Sequence, residues 1–210
     1  MANVDAPSGL RPVRYKSGAP YNGAANPYYI PASYGTALFI GDPVVKVAAG
    51  SNAAAVAVPS VGSFAIGTLP SIEKAGAGDT SVVTGVIVGF SPLATNLDLK
   101  HNTASTERVA LVADDPFLVF EIQADGAVPA ASMGLNAVFI YTHSGSTTTG
   151  LSGVELDTTS DAPAADASNQ LLIIRGVNRE DNDVTLIHAK VLVLLNQHTE
   201  NQGTVGALGI

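Results

Sequence analysis

The chain has 210 residues, no Cys, and 18 acidic against 10 basic residues, for a net charge of −8. The missing thiols exclude disulfides, thiolate metal sites and Cys nucleophiles, and the acidic balance argues against nonspecific binding to nucleic acid or to an anionic membrane. Apolar residues make up 46% of the chain and charged residues only 13%; ordinary domains carry about 25% charged, so part of this surface is expected to be covered by neighbouring chains.

Residues 1–36 read as an extended, irregular arm. They hold Pro7, Pro12, Pro20, Pro27 and Pro31, and proline fixes φ and removes a backbone donor. Five of the six tyrosines, Tyr15, Tyr21, Tyr28, Tyr29 and Tyr34, fall in this stretch. Its charge differs as well. Residues 1–35 carry Arg11, Arg14 and Lys16 against Asp5, a net of +2, whereas the remaining 175 residues carry 7 basic and 17 acidic residues, a net of −10. Tyr and Arg are common anchors of protein interfaces. The favoured expectation is an arm ordered on a partner surface through Arg11, Arg14, Tyr15, Tyr21, Tyr28, Tyr29 and Tyr34; the alternative is an arm wrapped over the protein's own sheet. The start of the chain lacks the basic and apolar regions of a signal peptide, and no apolar run approaches the ~20 residues of a membrane span.

From Ala37 the pattern changes to short strands, and residues 37–210 read as one β domain. Residues 37–41 (ALFIG) and 43–48 (PVVKVA) flank a Gly41-Asp42 turn. Residues 81–90 (SVVTGVIVGF) are Val-rich, with Gly85 and Gly89 marking bulges or close backbone approach. Residues 107–113 and 117–124 flank the turn Asp114-Asp115-Pro116. In the second run Leu118, Phe120, Ile122 and Ala124 alternate with Glu121 and Gln123, which predicts one buried face. Residues 136–142 and 171–177 continue the pattern. In 189–196 (AKVLVLLN) both alternating sets are apolar, as for a strand that is central or covered by a neighbour. No segment sustains helical periodicity. Residues 143–153 (HSGSTTTGLSG) read as a flexible loop and 157–169 as an exposed one. Strands at this spacing predict an antiparallel sandwich or barrel.

Chemical motifs are nearly absent, and the reading is of no catalytic, cofactor or metal site. Residues 74–81 (KAGAGDTS) lack the third Gly and the Lys of a phosphate loop, so a hairpin loop is expected. Asp181 and Asp183 lack the Gly and distal Glu of a calcium loop. The four histidines, His101, His143, His188 and His198, show no ligand spacing. An enzyme acting on polysaccharide would need paired carboxylates and aromatic platforms, and the chain has no Trp.

Three stretches resemble the capsid decoration, or cement, proteins of tailed bacteriophages: residues 3–14 with 28–44, residues 85–126 with their DDPFLVFEIQADG segment, and residues 182–199. The resemblance implies an all-β fold, an antiparallel β-sandwich of jelly-roll type. It implies a non-enzymatic virion protein, made in the host cytoplasm and placed on the exterior of the capsid, where it bridges major capsid subunits. Its partners would then be the major capsid protein and itself, as a homo-oligomer with a trimer favoured over a dimer. A different virion role, as tail or fibre adaptor or as carbohydrate-binding surface module, is the alternative.

Overall fold

In the computed structural model, residues 3–58, 62–78 and 81–200 are described. They form strands throughout, with no α-helix; a single 3-10 turn covers Ala130–Ser132. The strands are β1 (Arg11–Tyr15), β2 (Asn26–Ile30), β3 (Pro43–Ser51), β4 (Val56–Val58), β5 (Gly62–Phe64), β6 (Pro70–Lys74), β7 (Gly85–Phe90), β8 (Arg108–Ala113), β9 (Leu118–Gln123), β10 (Asn136–Ala137), β11 (Phe139–Ile140), β12 (Glu155–Leu156), β13 (Leu171–Gly176) and β14 (Lys190–Leu195). They build a five-stranded sheet in the order β1-β9-β14-β13-β10 and a closed barrel in the order β2-β6-β3-β7-β8. The pairs β4-β5 and β11-β12 stand as two-stranded ribbons.

Strand β14 explains its own composition. It lies between β9 and β13, antiparallel to both. Val191, Val193 and Leu195 enter the main core, while Leu192 and Leu194 form a second apolar layer on the opposite face. The alternation expected in β9 is also present, since Leu118, Phe120, Ile122 and Ala124 are all buried in the main core. That core also takes Val86 of β7 and Ala113 of β8, so the sheet and the barrel share one apolar layer. The barrel interior is a separate cluster around Tyr28, Ile30, Val44, Ile72, Ile87 and Val112. Gly89 sits at the register shift in the β7–β8 ladder. At Gly85 a Cβ would lie 2.5 Å from the Ala113 carbonyl oxygen, so only glycine lets the two backbones approach.

The amino-terminal stretch differs from the expected irregular arm. Residues 11–15 and 26–30 are strands of the fold itself. β1 pairs with β9 along its length and closes one edge of the sheet. β2 pairs with β8 over five positions and meets β6 at Tyr29↔Ser71, which closes the barrel. The prolines do not prevent this. β1 is an edge strand with a register shift between Pro12 and Arg14, and edges and bulges tolerate a missing N–H. Leu10 and Ile30 are fully buried.

Residues 37–41 also differ. They are not a strand; Leu38 and Ile40 make isolated bridges to Asn102 and Leu151. Gly41 turns the chain with φ 95°, and the Asp42 carboxylate accepts from the Phe39 N–H at 2.9 Å. The Gly/Ser/Thr loop 143–153 is tied down at its far end, where Ser152 donates to Asp42 at 2.6 Å. In the expected hairpin loop 74–81, residues 79 and 80 lie outside the described residues.

Candidate functional site

The outer face of the five-stranded sheet is apolar. Val119 of β9 and Leu192 and Leu194 of β14 are buried there, and Leu172 and Ile174 of β13 pack against them half-buried. The strand pattern produces this directly, because Leu172 and Ile174 of β13 and Leu192 and Leu194 of β14 alternate with the residues that enter the main core. A groove of about 340 Å3 runs over this face, lined by Val119, Leu172, Ile174 and Leu194, with Arg14 and Lys16 on its β1 side. Two cations bordering an apolar groove contrast with the acidic remainder of the chain. The Arg14 Nε is shielded from solvent and has no hydrogen-bond partner among the described residues. Chemically, the surface suits an apolar segment carrying an acceptor or a carboxylate.

A second feature is a polar cluster at the end of β9. Gln123 is buried and fully used: its amide donates to Asp5 Oδ1 and to Glu155 Oε1, each at 3.0 Å, while its oxygen accepts from the Ala6 N–H at 3.1 Å. Glu155 on β12 is almost completely buried, and Thr142 donates to its Oε2. The His143 Nε2 stands 3.5 Å from Glu155 Oε2 and 4.0 Å from Asp5 Oδ2. His188 approaches Asp5 from the other side, Nδ1 to Oδ1 at 3.6 Å.

A third polar group is enclosed. Burial pushes the Asp42 carboxyl up, opposed by Lys74, Ser152 and the Phe39 N–H. Lys74 reaches Asp42 at 3.4 Å and lies 4.0 Å from the centre of the Tyr141 ring. Asp42 and Ser152 are fully buried, so this group joins a turn to a loop and offers no access to a substrate.

The residues expected to anchor a partner fall in different places. Arg14 lines the groove, and Arg11 is exposed beside a shallow recess with Tyr21. Tyr15 lies in a neighbouring recess with Phe117. The other tyrosines serve the fold. Tyr28 is buried in the barrel and donates to Asp114 at 2.8 Å; burial, then that carboxylate, pushes its phenol up. Tyr29 packs with Val58, Leu69 and Val109. The Tyr34 hydroxyl accepts from the Lys74 N–H at 2.9 Å. Tyr28 and Tyr29 are therefore corrected from partner anchors to core residues, because β2 is a barrel strand. The groove was half visible in the two-faced apolar pattern of β14. The Gln123 cluster was not, since Asp5 and Gln123 are 118 positions apart.

Comparison with protein-family models, with curated proteins and with solved structures finds no match.

Proposed function

We propose that this chain is a non-enzymatic structural protein of a bacteriophage head. In this reading it decorates the exterior of the assembled capsid, bridges neighbouring major capsid subunits and stabilises the shell against the pressure of packaged DNA. The observation that carries the reading is the apolar outer face of the five-stranded sheet, bordered by Arg14 and Lys16. A protein that works by contact needs such a surface and no reactive centre. The low charged fraction of 13% points the same way, as does the resemblance of residues 85–126 and 182–199 to decoration proteins. The jelly-roll-type sandwich is part of the proposal; its support is the apolar layer shared by the sheet and the β7–β8 side of the barrel.

The mechanism is mass action. A protein that binds the assembled shell and not its free subunits shifts the equilibrium toward the shell. Each contact can be modest, because copies on one particle act together and a homo-oligomer, with a trimer favoured, multiplies the contacts. Apolar burial also varies little with ionic strength, whereas internal DNA repulsion grows as salt screening weakens.

The test uses heads of the phage that encodes the chain, prepared without it. Added wild-type protein should bind and delay DNA release on heating. The double variant Leu172→Asp with Ile174→Asp changes half-buried residues of the outer face, and should keep its circular dichroism while losing binding. Failure of the wild type to bind, or undiminished binding of the folded variant, refutes the proposal.

A further inference from the structure

The geometry points to a divalent transition-metal site formed by Asp5 Oδ2, His143 Nε2 and Glu155 Oε2. Among the described residues, this is the one group of three or more His or carboxylate side chains whose ligand atoms all lie within 4.8 Å of one another. The imidazole nitrogen is 3.5 Å from one carboxylate oxygen and 4.0 Å from the other. A tetrahedral ion with bonds of about 2.0–2.2 Å separates its ligand atoms by about 3.4 Å, so the His143–Glu155 pair at 3.5 Å already fits and Asp5, at 4.0 Å from His143 and within 4.8 Å of Glu155, is the ligand that must move inward. Asp5 and His143 are each about half exposed, at 44% and 49% of their side-chain surface, and are free to make that shift.

The surroundings are arranged as they are around bound metals. Gln123 donates to the outer oxygen of both carboxylates, Asp5 Oδ1 and Glu155 Oε1, so that Asp5 Oδ2 and Glu155 Oε2 face His143; Glu155 Oε2 also accepts from the Thr142 hydroxyl and keeps a second lone pair for the ion. Its own oxygen is taken by the Ala6 N–H, so the amide cannot flip without losing three hydrogen bonds. Outer partners of this kind fix ligand orientation. Glu155 is 2% exposed in its side chain, and two carboxylates brought this close repel unless a cation lies between them. The solvent-exposed side supplies entry and water for the remaining coordination positions.

The ligand set selects the ion. One imidazole with two carboxylates suits Zn2+ and its first-row neighbours, whereas Ca2+ takes 6–8 oxygen ligands. Bound metal would join three separate stretches: the segment before β1, the loop after β11, and β12. Because Asn3 already ties the same segment to residues 183 and 187 through three hydrogen bonds, the ion would lock the start of the chain against the main sheet.

The experiment is calorimetric titration of the chelator-treated full chain with Zn2+, with Ca2+ as comparison, and thermal melting of the same samples. Saturable binding of one Zn2+ per chain with a raised melting temperature is expected, and Ca2+ should bind much more weakly. Asp5→Asn and His143→Ala should each lower Zn2+ affinity about tenfold or more while leaving the metal-free melting temperature close to wild type. No saturable Zn2+ binding by the wild type overturns the site. So does equal binding by folded His143→Ala, which would place the ion on other histidines.

Discussion

Removing residues 1–35 should abolish folding. The deletion takes away β1, which closes the sheet edge on β9, and β2, which closes the barrel between β6 and β8. It removes four buried side chains, Leu10, Tyr28, Tyr29 and Ile30. At about 3 kcal/mol each for large buried groups, their loss alone is comparable to the whole stability of about 5–15 kcal/mol typical of a domain. The barrel would also be left with the edges of β6 and β8 unpaired around an exposed apolar interior. A graded version is Ile30→Ala, at a position with 0% exposure; it should cost about 3–4 kcal/mol without changing the denaturant slope. Far-UV and near-UV circular dichroism would follow the deletion, and urea titration the point variant. A residue 36–210 fragment that unfolds cooperatively with a wild-type near-UV spectrum would refute the integration of β1 and β2. A cost for Ile30→Ala under about 0.5 kcal/mol, the range of ordinary surface substitutions, would do the same.

Other consequences follow from buried polar groups. Arg108 is 6% exposed and donates to the carbonyls of Ser91, His101 and Leu99 at 2.7, 2.7 and 3.1 Å; Arg108→Ala orphans all three and should cost about 3 kcal/mol, read by urea titration with faster proteolysis within residues 91–106. Burial, and then the Arg108 charge, hold the His101 imidazole below its usual pKa. The unfolded chain therefore takes up a proton that the folded chain resists, and stability falls as pH drops through the unfolded value of about 6.5. His101→Phe retains a flat ring over Phe39, which His101 stacks on at 5.1 Å, so its stability loss between about pH 7.5 and about pH 5.5 should be smaller than that of wild type. Gly85→Ala should destabilise through the 2.5 Å approach to the Ala113 carbonyl, seen as a lowered thermal midpoint.

The sequence carried the strands whose evidence is local. The alternation of Leu118, Phe120 and Ile122 marked β9, and apolar residues on both faces of residues 190–195 marked a central strand. β1 and β2 were hidden because proline and tyrosine content is a local signal, whereas their stability comes from partners about a hundred positions away on β9 and β8. Pro12 survives at an edge and Pro27 near the start of its strand, places where a missing donor costs little. Residues 37–41 looked like a strand from composition, but the capping of Phe39 by Asp42 turns them into a corner. The apolar groove was partly legible, since β13 and β14 display Leu and Ile on both faces. The Asp5, His143 and Glu155 grouping was not, because each member comes from a different segment and no spacing rule joins them.

The most direct test of the proposed role is a cryo-electron-microscopy reconstruction of the purified virion, with the copy number of this chain measured from the same particles. The role requires density for the β domain on the outer surface of the head, on the order of hundreds of copies per particle, with the half-buried Leu172 and Ile174 turned toward capsid subunits or a second copy. Absence of the chain from the head, or a few copies confined to one vertex, would contradict it.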